Sequence, residues 1–253
     1  MISRSAREMG NNQFGIKGFI STSLIDWPGK ICSIVFVGGC GFRCPACHNP
    51  KLVLHPDSLD DYPLDEICKS LANRSKWIDG VTVTGGEPTI RKDLPDLLRI
   101  IRGYGVNIKL DTNGSNPGML ADLMRTNLID AVSMDVKAPL TSTAYSAVAG
   151  VTVDIRTIKN SIQLLRRSSL EVIFRTTAIP GLVEEPELES IKTALSDVPR
   201  FVVQSFRRTE TLDPSFAHIP EFNRIRVDDM RERFEIHSSN SVTPQKQACG
   251  GHF

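Results

Sequence analysis

Six short apolar runs rich in β-branched residues recur along this chain, at 31–37, 81–84, 106–110, 131–136, 170–175 and 201–206, with helical stretches between them. Several are apolar almost without interruption, the pattern of strands covered on both faces in a parallel sheet. Between them, Leu94, Leu97, Leu98 and Ile101 fall at i, i+3, i+4 and i+7, and Ile155, Ile158, Ile162 and Leu165 repeat a similar stripe. Each stripe marks one apolar helix face. Strand–helix alternation implies right-handed crossovers and a parallel sheet. Six units are too few for a closed eightfold barrel, so the predicted fold class is α/β, a partial (β/α)6 barrel of the TIM type. Residues 13–30 read as a hairpin or short β appendage turning at Asp26-Trp27-Pro28-Gly29, where Pro then Gly suits a tight turn. Past Arg208, segments 225–227 and 234–236 are expected as strands of a C-terminal extension. The simplest division is a flexible N-terminus (1–13), one domain (14–237, core about 31–206) and a polar tail (238–253).

The residues just after each run are chemically loaded. Cys40, Cys44 and Cys47 form a C-x3-C-x2-C cluster behind the first, and Gly85-Gly86-Glu87-Pro88-Thr89 stands behind the second. Asp111-Thr112-Asn113-Gly114, Asp135-Val136-Lys137, Arg175-Thr176-Thr177 and Gln204-Ser205-Phe206-Arg207-Arg208 end the other four. In a parallel α/β barrel these ends share one rim, where active sites sit. Three thiolates within eight residues can grip one metal centre, and thiolates select zinc, copper(I) or iron–sulfur clusters. A [4Fe–4S] cluster normally takes four cysteines, and no fourth stands nearby. Three ligands would leave one iron open.

Composition narrows the partners. With 30 Lys and Arg against 29 Asp and Glu, net charge is +1, and no global field argues for nucleic acid or an anionic membrane. No apolar stretch approaches the ~20 residues of a spanning helix, and residues 1–13 lack the apolar centre of a signal peptide. The expected location is the cytoplasm, where the six cysteines would be free or metal-bound rather than paired.

The cysteine loop succeeded by Gly-Gly-Glu-Pro resembles the radical S-adenosylmethionine (SAM) superfamily, over about residues 15–206. More narrowly, Thr22-Ser23-Leu24-Ile25-Asp26-Trp27-Pro28-Gly29-Lys30 and Phe42-Arg43-Cys44-Pro45-Ala46-Cys47-His48-Asn49-Pro50 are similar to anaerobic ribonucleoside-triphosphate reductase activating proteins, relatives of pyruvate formate-lyase activating enzyme. The resemblance implies that Cys40, Cys44 and Cys47 ligate three irons of a [4Fe–4S] cluster and that the fourth iron chelates SAM. It implies that Gly85, Gly86 and Glu87 line the methionine end. Asp111, with Thr112 and Asn113, and Lys137 would meet SAM's polar groups, Arg175 would meet its carboxylate or ribose, and Pro180-Gly181 matches the next turn in these enzymes. A reduced cluster would cleave SAM to a 5′-deoxyadenosyl radical, which takes an α-hydrogen from a glycine of a partner enzyme. The implied partners are a glycyl radical enzyme, anaerobic ribonucleotide reductase, and flavodoxin or ferredoxin as electron donor. Ala46 stands where an aromatic usually precedes the third cysteine, leaving Phe42 or His48 to meet adenine.

Other readings compete. Cys44-Pro45-Ala46-Cys47-His48 fits a c-type haem attachment pattern, but haem attachment needs export and leaves Cys40 without a role. Structural zinc could use the cysteines and His48 in a non-enzymatic binding module, although adjacent Cys47 and His48 would struggle to reach one ion. A small-molecule radical SAM enzyme similar to 7-carboxy-7-deazaguanine synthase is the second enzyme reading. Cys32 reads as core, Cys68 as helical, Cys249 as a tail thiol, and Arg207-Arg208 as a solvated pair.

Overall fold

The computed structural model describes residues 14–237; the readings of 1–13, 238–253 and Cys249 lie outside them. Eight strands form one sheet in sequence order. They are β1 (Ile16–Ser23), β2 (Cys32–Val37), β3 (Gly80–Gly85), β4 (Asn107–Thr112), β5 (Ala131–Asp135), β6 (Glu171–Ala178), β7 (Arg200–Ser205) and β8 (Ile236–His237). β2 to β7 are the six expected strands, each parallel to the next. β1 and β8 are antiparallel edges on β2 and β7 and do not pair with each other, so the barrel is open between them. The helices are α1 (Pro50–Leu54), α2 (Leu64–Arg74), α3 (Leu94–Arg102), α4 (Pro117–Arg125), α5 (Ser142–Ala149), α6 (Ile155–Arg166), α7 (Glu185–Ala194) and α8 (Arg224–Phe234).

The strands are not apolar on both faces. One parity (Val81 and Val83, Ile108 and Leu110, Val132 and Met134, Val172 and Phe174) joins a single core with Leu97, Leu98 and Ile101 of α3 and Ile158, Ile162 and Leu165 of α6. The other parity faces the barrel interior with Cys32, Thr82, Lys109 and Ser133, all 1 % exposed or less. Strand side chains alternate between faces, and here helices cover one face while polar groups fill the other.

The barrel floor is closed by the turn between β1 and β2. Trp27 packs on Cys32 and Ala131, donates from Nε1 to Glu171 Oε1 at 3.2 Å, and lies under the Lys30 ammonium, 4.3 Å from its ring centre. A Cβ on Gly80 would sit 2.6 Å from the Trp27 ring and from the Asn107 carbonyl oxygen, so glycine is needed where β3 enters beneath the indole. The expected hairpin is therefore β1 with β2, and its turn is a plug.

Two expectations past Arg208 need correcting. Residues 225–227 lie in α8, whose Val227, Met230 and Phe234 are buried at i, i+3 and i+7, a helical spacing. Asn223 caps it by accepting from Arg226 N at 2.9 Å. Of 234–236, Phe234 ends that helix and only Ile236 enters a strand, the short β8. Trp27→Ala should cost about 3–5 kcal/mol, because no neighbouring chain can refill the floor. Urea unfolding checks it, and an unchanged midpoint would show that the floor bears no load.

Candidate active site

A cavity of about 260 Å³ opens at the C-terminal ends of the parallel strands. Cys40, Cys44, Cys47, Gly85, Gly86, Glu87, Asp111, Thr112, Asn113, Lys137 and Arg175 all line it; every site residue expected from sequence is brought together. Phe42 and His48 also line it, as do Asp135, Thr177 and Gln204, to which the sequence assigns no role. The apolar run puts Arg175 at the end of its strand, but β6 extends three residues further to Ala178, placing the guanidinium lower in the barrel.

The cysteine loop has little regular structure, so its neighbours hold it. On one side Gly86 N donates to Val37 O at 2.9 Å and Glu87 N to Gly39 O at 2.8 Å. Added Cβ atoms at Gly85 and Gly86 would lie 2.2 Å from Val37 O and 2.0 Å from Gly39 O, and Gly85 has φ +129°. The two glycines thus let β3 meet the loop backbone, a close approach that only glycine allows. On another side, Arg43 N donates to Ala149 O at 2.8 Å, and the Phe42 and Tyr145 rings meet edge-on, 6.5 Å apart. A third hold, invisible in sequence, comes from the segment after β7. Leu212 N donates to Cys47 O at 3.0 Å and Asp213 N to Pro45 O at 2.9 Å. The His48 ring stacks on Phe206, centroids 5.6 Å apart, and its Nε2 lies 2.9 Å from Arg207 O.

Cys40 Sγ accepts from Phe42 N at 3.3 Å and Asn113 Nδ2 at 3.7 Å. Burial nevertheless pushes its thiol up to about 11, and burial likewise raises Cys44. Without a positive centre both are neutral thiols, and metal binding would release their protons. Three sulfurs around one cavity suit an iron–sulfur cluster, whose cube spaces its anchors more widely than one ion does. Among the described residues no three His, Cys, Asp or Glu side chains are grouped to hold a single ion, and His48 Nε2 lies against the Arg207 carbonyl.

Glu87 is 1 % exposed and both its carboxylate oxygens accept hydrogen bonds. Oε1 accepts from Thr89 N at 3.1 Å, Thr89 Oγ1 at 2.6 Å and Thr112 Oγ1 at 2.7 Å; Oε2 accepts from Asn113 N at 2.6 Å. It ties the end of β3 to that of β4, and burial raises its pKa against those bonds. Below it runs a ladder of charge. Asp111 takes Lys109 on Oδ1 and Arg175 Nη1 on Oδ2, the latter at 3.2 Å. Asp135 takes Arg175 Nε on Oδ1 and Lys137 Nζ on Oδ2, both at 2.9 Å. Burial alone would raise Asp135, but Arg175 and Lys137 outweigh it and hold the carboxyl at about 2. Tyr145 Oη, accepting from Lys137 N at 3.2 Å, fixes the chain between them.

Residues 34–194 match the sequence model of the radical SAM superfamily. A protein of Methanocaldococcus jannaschii provisionally named a glycyl-radical enzyme activating enzyme is 30% identical over 210 residues, 81% of this chain and 85% of that protein. The pyruvate formate-lyase-activating enzyme of Clostridium pasteurianum is 27% identical over 172 residues, 66% of this chain and 69% of that one. Among solved structures, coproporphyrinogen III oxidase from Escherichia coli superposes with TM-score 0.52 at 15% identity, over 81% of this chain and 52% of that chain. That likeness carries the fold alone.

Gly150, at φ +67° with an added Cβ 2.0 Å from Arg43 O, is where α5 meets the loop. Gly150→Ala should cost about 1–3 kcal/mol and speed iodoacetamide alkylation of Cys40 and Cys44 in metal-free protein; unchanged rates would show that α5 does not hold the loop. Asp135, ordinarily at 3.8 and here at about 2, contributes on the order of 2 kcal/mol. A depressed carboxylate gives its full stabilisation above about pH 4 and loses it as pH falls through 2. Asp135→Asn should therefore destabilise the protein at pH 7 and far less at pH 2, read from denaturant midpoints.

Proposed function

The chain belongs to the radical SAM superfamily, and from that premise we propose that it installs a glycyl radical in a partner enzyme, anaerobic ribonucleoside-triphosphate reductase. The observation that carries the reading is the convergence of three cysteines and five polar strand ends on one cavity. The relatives' names support the activating role. Superfamily membership implies SAM and a [4Fe–4S] cluster. Loaded with both, the site supplies one-electron cleavage of the sulfonium and a carbon radical able to take a glycine α-hydrogen.

The chain's own residues have distinct tasks. Cys40, Cys44 and Cys47 would each hold one iron, leaving the fourth for SAM. Lys137 spends one donor on Asp135, and an ammonium has three, so two remain for a ligand carboxylate. The backbone at Gly85 and Gly86, with Thr112 and Asn113, would receive the amino acid end of SAM. Glu87 orders that backbone through the hydrogen bonds it accepts, and Oε2, which accepts only one of them, keeps a lone pair for the ligand ammonium. Phe42 packs on Tyr145, whereas His48 is exposed at the cavity mouth and is the better placed to meet adenine. Val53, Val148, Ile179 and Leu182 complete the wall and keep water from a reactive carbon. The gap between β1 and β8 would admit a peptide loop, and the exposed turn at His48-Asn49 would let flavodoxin or ferredoxin reach the cluster. Among the described residues no helix is long and apolar enough to cross a membrane.

Anoxically purified protein should carry about four iron and four sulfide per chain, and Cys44→Ala should lose both. Mixed with reductant, SAM and the reductase, the loaded enzyme should give a glycine-centred doublet in electron paramagnetic resonance. No doublet with any glycyl radical enzyme, together with turnover of a purine-like metabolite, would favour the small-molecule enzyme. Lys137→Ala should weaken SAM binding about tenfold with iron content intact; unchanged affinity would remove Lys137 from the ligand.

A further inference from the structure

Lys109 is a lysine whose side chain is almost wholly buried. It is 1 % exposed, faces the barrel interior between Thr82 of β3 and Ala131 of β5, and lies above the floor that Trp27 seals. Buried lysines usually extend their stems to bring the ammonium to water; here the opening below is closed. Residues i and i+2 of a strand share a face, so in Lys109-Leu110-Asp111 the ammonium meets the Asp111 carboxylate directly above it. Lys109 is not among the residues that line the cavity.

Its effect passes along shared partners. Asp111 divides its oxygens between Lys109 and Arg175, Arg175 divides its nitrogens between Asp111 and Asp135, and Asp135 divides its oxygens between Arg175 and Lys137. Three cations thus alternate with two carboxylates from the floor to the cavity. Without Lys109, Asp111 would rely on Arg175 alone and draw the guanidinium down and away from Asp135. Asp135 would then hold Lys137 more closely and pull its ammonium back from the cavity.

We propose that Lys109 is a positioning residue that acts through Asp111 and Arg175 to set how far Lys137 reaches toward the ligand. This rests on reading the cavity as a SAM site. Lys109→Met keeps an unbranched side chain of similar length without the charge; removing one partner of a buried pair is destabilising, but Asp111 keeps its ion pair with Arg175. The test is equilibrium dialysis of SAM against the cluster-loaded, unreduced protein, beside iron content and the steady-state kinetics of SAM cleavage. Lys109→Met should raise the Kd and the KM for SAM about tenfold, with kcat within about threefold and iron unchanged. A lower kcat with KM unmoved would mark a merely structural residue and overturn the proposal. So would an unchanged Kd.

A second comparison stands if Lys109→Met folds poorly. Since Lys109 acts only through Asp111, adding Lys109→Met to Asp111→Asn should change the Kd by less than about twofold; a full further tenfold loss would show independent action and sink the idea. Failure of the wild-type protein to bind SAM at all would instead overturn the functional reading beneath it.

Discussion

Charged groups inside a barrel must find partners there, and this requirement organises the molecule. An unpaired ion in such an interior costs several kcal/mol even after relaxation. The chain places Lys109, Asp111, Asp135 and Arg175 on the inward faces of three adjacent strands, with Lys137 just above them. Trp27 closes the lower end, leaving only the upper rim through which this polarity can act. A helix-covered exterior and a charge-filled interior are the two faces of one strand alternation. Asp135 shows the balance most directly, because two cations hold its carboxyl at about 2 against the burial that would raise it.

The cysteine loop faces a different problem. It must present three sulfurs in a fixed spacing while making few backbone hydrogen bonds of its own. The structure supplies that spacing from outside, through the glycine contact with β3, the end of α5 and the segment beyond β7. These supports are the outer partners that orient ligands at a metal site. They come from elements spread over more than 100 residues of the chain, so the loop's shape depends on the complete barrel. Burial, which keeps Cys40 and Cys44 as thiols in metal-free protein, has the same origin: the loop is pressed against the core on three sides.

Much of this is legible in the sequence. The six runs and the two apolar stripes mark β2 to β7, α3 and α6, because burial writes itself into periodicity. The eleven site residues can be collected because parallel strands bring their ends to one rim whatever the intervening helices do. Relationships set by tertiary contact are the part that periodicity hides. Arg175 reads as a strand end because the apolar run stops there, but β6 continues through Thr176 and Thr177 by pairing with β7. The alternation Ile225-Arg226-Val227 looks like a strand, yet only Val227 is buried, and Met230 with Phe234 makes the face helical. Lys109 carries a subtler signal: a lysine two residues before an aspartate, in a strand whose other face is Ile108 and Leu110, must have its charge met somewhere. Gly85 and Gly86 suggest room for a ligand, whereas their nearest demand is room for the chain's own backbone.

The open seam between β1 and β8 arises from these same forces. Further parallel strands would close the barrel at the side and leave the rim as the one way to Lys137 and the cysteine loop. Antiparallel edges instead finish the sheet on both sides, and Trp27 makes the floor watertight without a further strand. The interior can therefore hold its charges dry from below while its rim stays accessible from above and from the side. Hydrogen abstraction from a protein backbone needs that combination, since the radical must be shielded from water while a second chain is admitted. A barrel closed all round would meet the first requirement but leave only its rim for the second.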